Sequence, residues 1–320
     1  MDYSQDITCD TLTTMTMNSN TLTVTRTEEQ CEFCFASVTL TNVRFEITGK
    51  AKLFWKTNAL FVGDRFRNVN GGAVFVGKGA SARFFDDLGT QDVGVASVAD
   101  MGDFSSYELS GGCLYVDGYL RVDGDATFER CENGGGGESP PGPGGVMYVG
   151  KTGSVLFAGP VLMKEVSIID DEGNAGGGIY NMGKVNIKGD ATFDDLRAEQ
   201  GGAIFNGAGA DFKFKRGASV VFNNCLSFDG DGGAVFNEGS FRLSGPALML
   251  KCRAPAFVVE TAAYTKLSAD SVFWGFGDEE INPAIVVRGA GKLVGAESVS
   301  FINGAGTGCA TVEYDGGECL

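Results

Sequence analysis

The chain has 320 residues, 43% of them apolar, with 49 glycines, no histidine and a net charge of -16. Glycine at about twice its usual share, without a Gly-X-Y period and beside enough apolar side chains to fill a core, excludes a collagen-like or disordered chain. Without histidine no Ser-His-Asp, Cys-His or His-metal site can be built, and the acidic balance repels the phosphates of nucleic acid.

The chain opens with Met1-Asp2-Tyr3-Ser4-Gln5-Asp6, which has neither a basic start nor an apolar segment after it. No apolar run reaches the roughly 18 residues that span a bilayer, so the chain reads as soluble, with no visible signal peptide and no membrane span. Residues 1–35 are Thr-rich from Thr8 to Thr27, continue into Cys31-Glu32-Phe33-Cys34, and do not fit the pattern of the rest. They are expected to form an N-terminal cap, because the uncovered end of a stack of strands exposes a β-edge. Cys31 and Cys34 have no second pair at metal spacing, so neither zinc nor redox chemistry is assigned to them.

Residues 36–320 form the second unit, and its signature is a six-fold recurrence. Gly71-Gly72-Ala73-Val74-Phe75 returns as Gly111-Gly112-Cys113-Leu114-Tyr115, Gly144-Gly145-Val146-Met147-Tyr148, Gly176-Gly177-Gly178-Ile179-Tyr180, Gly201-Gly202-Ala203-Ile204-Phe205 and Gly232-Gly233-Ala234-Val235-Phe236. The first glycines lie 40, 33, 32, 25 and 31 residues apart, a period at which each unit buries its apolar face only against its neighbours. The spacing predicts a solenoid, and the glycines supply the tight turn into each first strand.

Residues 176–200 show one unit clearly. After Ile179-Tyr180-Asn181 and a Met-Gly turn, Lys184 to Lys188 alternates strictly, and after Gly189-Asp190 a third run follows from Ala191 to Leu196. Alternation over four or five residues, broken each time by Gly or Asp, predicts three short strands per repeat and almost no helix. The third strand obeys one rule in five repeats: Ala126, Phe128, Cys131; Val161, Met163, Val166; Ala191, Phe193, Leu196; Val220, Phe222, Cys225; Ala247, Met249, Cys252. Phe66 and Val69 continue it one repeat earlier. Parallel strands stacked about 4.8 Å apart turn such a rule into an internal ladder of Phe and Met. Counting from the Phe45 region to Cys309 gives about ten coils, a prism on the order of 45 to 50 Å long.

Repeat length varies between the third strand and the next Gly-Gly, at residues 86–110, 129–143, 164–175, 194–200 and 223–231. Insertions at one repeat position leave from one edge, often a binding edge. These segments hold 18 of the 41 acidic side chains and only three basic ones, Arg130, Lys164 and Arg197. Outward positions of the second strand run the other way, with Arg121, Lys184, Lys188, Lys213, Lys215 and Arg242. A basic ladder beside an acidic edge favours oriented docking onto charged partners. The same lysines would also serve merely to keep an exposed sheet soluble, and both readings stay open on sequence alone.

The residue before each aromatic of the Gly-Gly strings is always aliphatic, which predicts that Phe75, Tyr115, Tyr148, Tyr180, Phe205 and Phe236 form an outward stripe. Such a stripe is either shielded by loops or a docking surface for a partner or for sugar rings. Asn181, Asn206 and Asn237 follow in three successive repeats and are expected to hydrogen-bond along the stack. Cys131, Cys225 and Cys252 fall in the inward column and read as buried thiols acting as small apolar side chains. Cys113 replaces the small residue of Gly-Gly-Ala, while Cys309 and Cys319 are placed to staple the last coil.

The stretch from Val221-Phe222-Asn223-Asn224 to Gly232-Gly233-Ala234-Val235-Phe236-Asn237 resembles the paired FxxN and GGA[ILV] repeats of chlamydial polymorphic membrane proteins and of related algal repeats. The resemblance covers residues 58 to 252 clearly, and Ala254-Pro255-Ala256 and Asn282-Pro283-Ala284 look like later repeats in which Gly-Gly has become Xaa-Pro. It implies an all-β, single-stranded right-handed parallel β-helix of the pectin-lyase-like class. That class hosts polysaccharide lyases and hydrolases, but a polygalacturonase-like set lacks its histidine here. A lyase-like calcium site would have to be assembled from Asp170, Asp171, Asp194 and Asp195 with Arg197. Asp86-Asp87 is a further acidic pair, and neighbouring strand residues point to opposite faces. No catalytic residue, cofactor or metal site is assigned.

The leading expectation is a non-catalytic structural or interaction protein docking protein partners. The algal resemblance extends this to an accessory or linker subunit of a large assembly such as a photosynthetic antenna. A surface adhesin or carbohydrate-binding β-helix is the second reading, and a pectate-lyase-like enzyme the third. A plastid assembly and an extracellular surface both stay open as compartments.

Overall fold

A computed structural model describes residues 4–18, 21–25, 37–63, 65–67, 70–96, 110–134, 142–168, 175–252, 255–268, 270–274, 284–295, 299–302 and 312–315. Among them there is no helix, and every strand pairing is parallel, which gives the stacked-repeat arrangement of a β-solenoid. The strands fall into three long ladders. The first runs through Val74–Val76, Leu114–Val116, Met147–Val149, Ile179–Asn181, Ile204–Asn206, Val235–Asn237, Phe257–Val259 and Ile285–Arg288. The second is a separate sheet of ten strands, from Thr21–Thr25 through Lys184–Ile187 to Lys292–Val294. In the third, Phe128, Met163, Phe193, Phe222, Met249 and Phe273 stand in register and are fully buried.

The Gly-Gly turns fix this register. Gly176 has φ +68°, in the left-handed region, and a Cβ there would lie 2.3 Å from the carbonyl oxygen of Ile179. Its neighbour Gly177 meets the next repeat instead, with a Cβ position 2.2 Å from the Gly202 carbonyl oxygen. Pro255 takes the place of the second glycine one repeat after Gly233, whose N–H it accepts at 2.8 Å.

The third strand does not stop where alternation predicts. Asp92, Arg130, Glu165, Asp195, Asn224 and Lys251 all adopt φ between 49° and 55°. This single left-handed residue bends the chain and turns the following side chain inward, so Phe128 and Cys131 are both buried although three residues apart. The Phe-x-x-Cys/aliphatic rule is thus the imprint of a corner. Beyond it lies a fourth set of short pairings, Arg65–Arg67 with Gly94–Ala96 and Glu132–Gly134, and Arg197 and Ala198 with Leu226 and Ser227.

Two expectations shift accordingly. Phe66 belongs to this fourth set, opposite Val95, and the core column above Phe128 is filled by Thr90 and Phe61. Asp86 and Asp87 precede the third strand Leu88–Gln91 and so lie outside the insertion, where the Asp87 carboxylate accepts from the Asp125 N–H at 2.9 Å. The N-terminal segment, expected as a cap over the first coil and not as part of the repeat, pairs in parallel with that coil. Ser4–Asn18 pairs with Ser37–Thr48, with a register shift between Thr8 and Thr13, and Thr21–Thr25 pairs with Lys52–Lys56.

The cysteines also rearrange. Cys131 is not a free thiol but forms a disulfide with Cys113, spanning 18 residues and joining the first strand to the corner of the same repeat. Cys225 and Cys252 are free and buried, and their Sγ atoms lie 3.6 Å from the carbonyl oxygens of Phe193 and Phe222. Burial drives the Cys225 thiol far above its ordinary range, so it stays protonated. Cys31, Cys34, Cys309 and Cys319 lie outside the described residues.

Candidate interaction surfaces

On the first ladder the aliphatic residue of each Gly-Gly string faces the core and the aromatic after it faces out. Val74, Leu114, Met147, Ile179, Ile204 and Val235 are fully buried in the main core, whereas Phe205 and Phe236 belong to a separate apolar cluster with Val258. The six aromatics form one continuous stack. Centroid distances from Phe75 through Tyr115, Tyr148, Tyr180 and Phe205 to Phe236 are 4.9, 5.0, 5.5, 4.7 and 5.4 Å, with ring planes within 13° of parallel. Parallel strands in register impose this spacing, and the rings gain stacking energy at the offset distance aromatic pairs prefer. Phe75, Tyr115, Tyr148 and Tyr180 remain half-buried, while Phe205 and Phe236 are covered. Burial, with the neighbouring Tyr148 and Asp117 adding to it, holds the Tyr115 phenol above its usual pKa.

One end of the stack carries a residue that sequence patterning did not single out. Arg44, 2% exposed, places its guanidinium 5.4 Å from the Phe75 ring centroid. It donates to the carbonyl oxygens of Gly71 at 2.7 Å and Asn70 at 2.8 Å and pairs with Glu46 at 2.9 Å. A buried guanidinium needs such a full set of acceptors, and burial still pulls its pKa below the ordinary arginine value. Apart from Glu46 nothing in the local sequence marked it, because its other two acceptors are backbone atoms 26 and 27 residues away.

Behind the stack the asparagine ladder forms as expected. The Asn181 amide donates to Asn206 Oδ1 at 2.8 Å, Asn206 to Asn237 Oδ1 at 2.7 Å, and Asn237 to Thr265 Oγ1 at 2.8 Å. All four residues are fully buried.

The six predicted basic residues all point outward from the second sheet, but they do not make one column. Lys213, Arg242 and Lys266 stand in register on successive strands, Lys188 lies opposite Lys215, and Lys184 occupies a third column opposite Asp211. Arg121 lies apart from these, separated along its column by Leu156 and Asn186. It shares Asp123 with Arg83, at 2.6 and 2.7 Å. Burial opposes ionisation of Asp123, yet the two guanidiniums outweigh it and hold the carboxyl below its usual range. Lys266 escaped sequence reading because the inward neighbour on its strand is Thr265, a polar residue made core-compatible by the hydrogen bond from Asn237.

At the left-handed corner the carboxylates are tied to the next repeat. Arg130 makes a two-pronged contact with Asp92 at 2.5 and 3.1 Å, which lowers the Asp92 pKa, and Lys164 pairs with Glu129 at 3.1 Å. Asn223 and Asn224 donate to Asp194 and Asp195 at 2.7 and 3.0 Å, and Arg197 pairs with Asp195 at 3.0 Å. Asp170 and Asp171, with the stretches 97–109, 135–141 and 169–174 of the three longest insertions, lie outside the described residues.

Comparison with family models, with curated proteins and with solved structures finds no match to this chain. The surfaces therefore have to be read from their own chemistry. No helix among the described residues is long and apolar enough to cross a membrane.

Proposed function

We propose that the chain is a right-handed parallel β-helix of about ten coils, as the repeat count and the FxxN and GGA[ILV] resemblance imply, and that it acts as a non-catalytic interaction protein. It is a stiff rod that docks a protein partner through its outward aromatic stack and basic sheet, as a scaffold or linker subunit of a larger assembly.

The observation that carries this reading is the six-ring stack. The main core closes without it, so the rings are not needed to fill the prism. Four of them stay half-buried in a continuous row, the kind of apolar stripe that a soluble protein covers with something else. Ring geometry favours a protein over a sugar as that cover. With planes nearly parallel at about 5 Å, each ring spends its faces on its neighbours and offers only edges, whereas sugar stacking needs a free aromatic face. The acids that a lyase reading would enlist, Asp194 and Asp195, are engaged by Asn223, Asn224 and Arg197.

The test is isolation of the chain from its native source at low and high salt. A stoichiometric protein partner is expected, and Tyr115→Ser with Tyr148→Ser should weaken its capture at least tenfold. Depolymerisation of an acidic polysaccharide by the purified chain with calcium would overturn the reading.

A further inference from the structure

The outward face of the second sheet is basic along the rod. Toward its start it carries Lys52, Lys56, Arg83 and Arg121, the two guanidiniums sharing Asp123. On the four successive strands Lys184–Ile187, Asp211–Phe214, Ser240–Leu243 and Tyr264–Lys266 the outward positions carry Lys184, Lys213, Arg242 and Lys266 against Asp211, which pairs with Lys213, and Lys188 and Lys215 directly follow the first two strands, with the exposed Asp190 beyond Lys188. The other five make no ion pair among the described residues, and all five are exposed. Lys188 and Lys215 face each other across adjacent strands, where like charges destabilise a sheet. A surface kept only for solubility would place a carboxylate at one of them, as the neighbouring Lys184 and Asp211 positions do.

We propose that this face binds an extended acidic segment of a partner protein, with Asp or Glu at alternate positions. The inference deepens the docking reading above and rests on it for the partner's being a protein. Spacing supports the match: the unpaired Lys184 and Lys188 are four residues apart along one chain segment, roughly 13 Å, which is twice the repeat of same-face side chains in an extended peptide. Successive strands repeat the pattern about 4.8 Å away, so a second carboxylate row or a bent segment is also accommodated. Lys292 continues the patch onto the next strand, and the exposed Asp190, two residues past Lys188, bounds it at the side, in a chain whose net charge is -16. A wide polyanion or an anionic bilayer meets those carboxylates, whereas a short acidic segment stays within roughly one or two Debye lengths of the cations.

The probe is a fluorescently labelled peptide of alternating Glu and Ser, followed by anisotropy at low and physiological salt. Saturable binding that weakens steeply with salt is expected. Lys188→Glu with Lys215→Glu should reduce affinity at least tenfold, and Lys188→Gln with Lys215→Gln, which cannot introduce new repulsion, should reduce it severalfold. Lys50→Glu with Lys52→Glu, four strands before the patch, should leave it unchanged. Absence of peptide binding at low salt, binding indifferent to the Lys188 and Lys215 changes, or tighter binding of heparin fragments or phosphatidylserine vesicles at this face overturns the proposal. Because the Tyr115 and Tyr148 changes touch a different face, loss of the native partner there and loss of the peptide here are separable results.

Discussion

Asn206 shows how much a single side chain carries when repeats are in register. Its Oδ1 accepts from Asn181, and its Nδ2 donates to Asn237 Oδ1 at 2.7 Å and to the Ser240 carbonyl oxygen at 3.1 Å. In a site with no solvent exposure each of these bonds replaces a water that cannot enter. Asn206→Ala leaves the Asn181 amide without its acceptor, and an orphaned buried donor costs about 1–3 kcal/mol beyond the lost packing. A downward shift of the urea midpoint corresponding to about 2–3 kcal/mol is expected. Asn206→Asp keeps the shape but sets a carboxylate against Asn237 Oδ1, so at neutral pH it should cost at least as much. The ladder itself was legible in the sequence, because three asparagines recur at one repeat position. Its continuation through Thr265 was not, since a threonine there breaks the residue type while preserving the hydrogen bond.

At the scale of the strand, sequence decides which column a residue joins whenever alternation is clean. The aliphatic residue preceding each aromatic fixed the direction of the whole stack, and parallel register did the rest. Alternation misled where the backbone departs from it. Phe66 and Val69 satisfy the Phe-x-x-aliphatic spacing, whereas the true column members Phe61 and Thr90 lack either the spacing or the aromatic. Thr90 tolerates its buried place because its Oγ1 lies 3.2 Å from Cys131 Sγ, a contact between residues 41 apart. The stack also has a measurable electrostatic signature. Burial, reinforced by Tyr148 and Asp117, raises the folded-state pKa of Tyr115 above its unfolded value. The contribution of the neutral phenol to stability is therefore complete below the unfolded value of about 10 and is lost as pH rises through the folded one. A spectrophotometric titration near 295 nm should show one late phenol that Tyr115→Phe removes, and the variant should lose less stability than the parent above pH of about 10.

The whole molecule behaves as a row of nearest-neighbour contacts, and its one described disulfide tests that directly. In the repeat of Gly178 the residue after Gly-Gly faces the first inward residue beyond the left-handed corner: a Cβ on Gly178 would lie 3.0 Å from Leu196 Cδ1. Cys113 and Cys131 occupy the equivalent positions and turn a van der Waals contact into a bond, with Cα atoms 5.6 Å apart. Sequence assigned each cysteine to its own column but gave no sign that the two columns meet across the interior. Closing a loop of this size constrains the unfolded chain by about 3 kcal/mol. In a solenoid that loss falls on one repeat and its neighbours instead of spreading evenly. Reduction should therefore raise amide exchange from Gly111 to Glu129 and in the adjoining repeats, while the Phe and Met column from Phe193 to Met249 keeps its protection. A Cys113→Ala, Cys131→Ala variant should show the same pattern in these repeats without reductant, and reductant should change nothing further around Cys225 and Cys252, which are free, buried thiols. A uniform loss of protection along the chain would instead mean that the repeats fold as a single cooperative block, and that a partner docked at one end could be felt at the other.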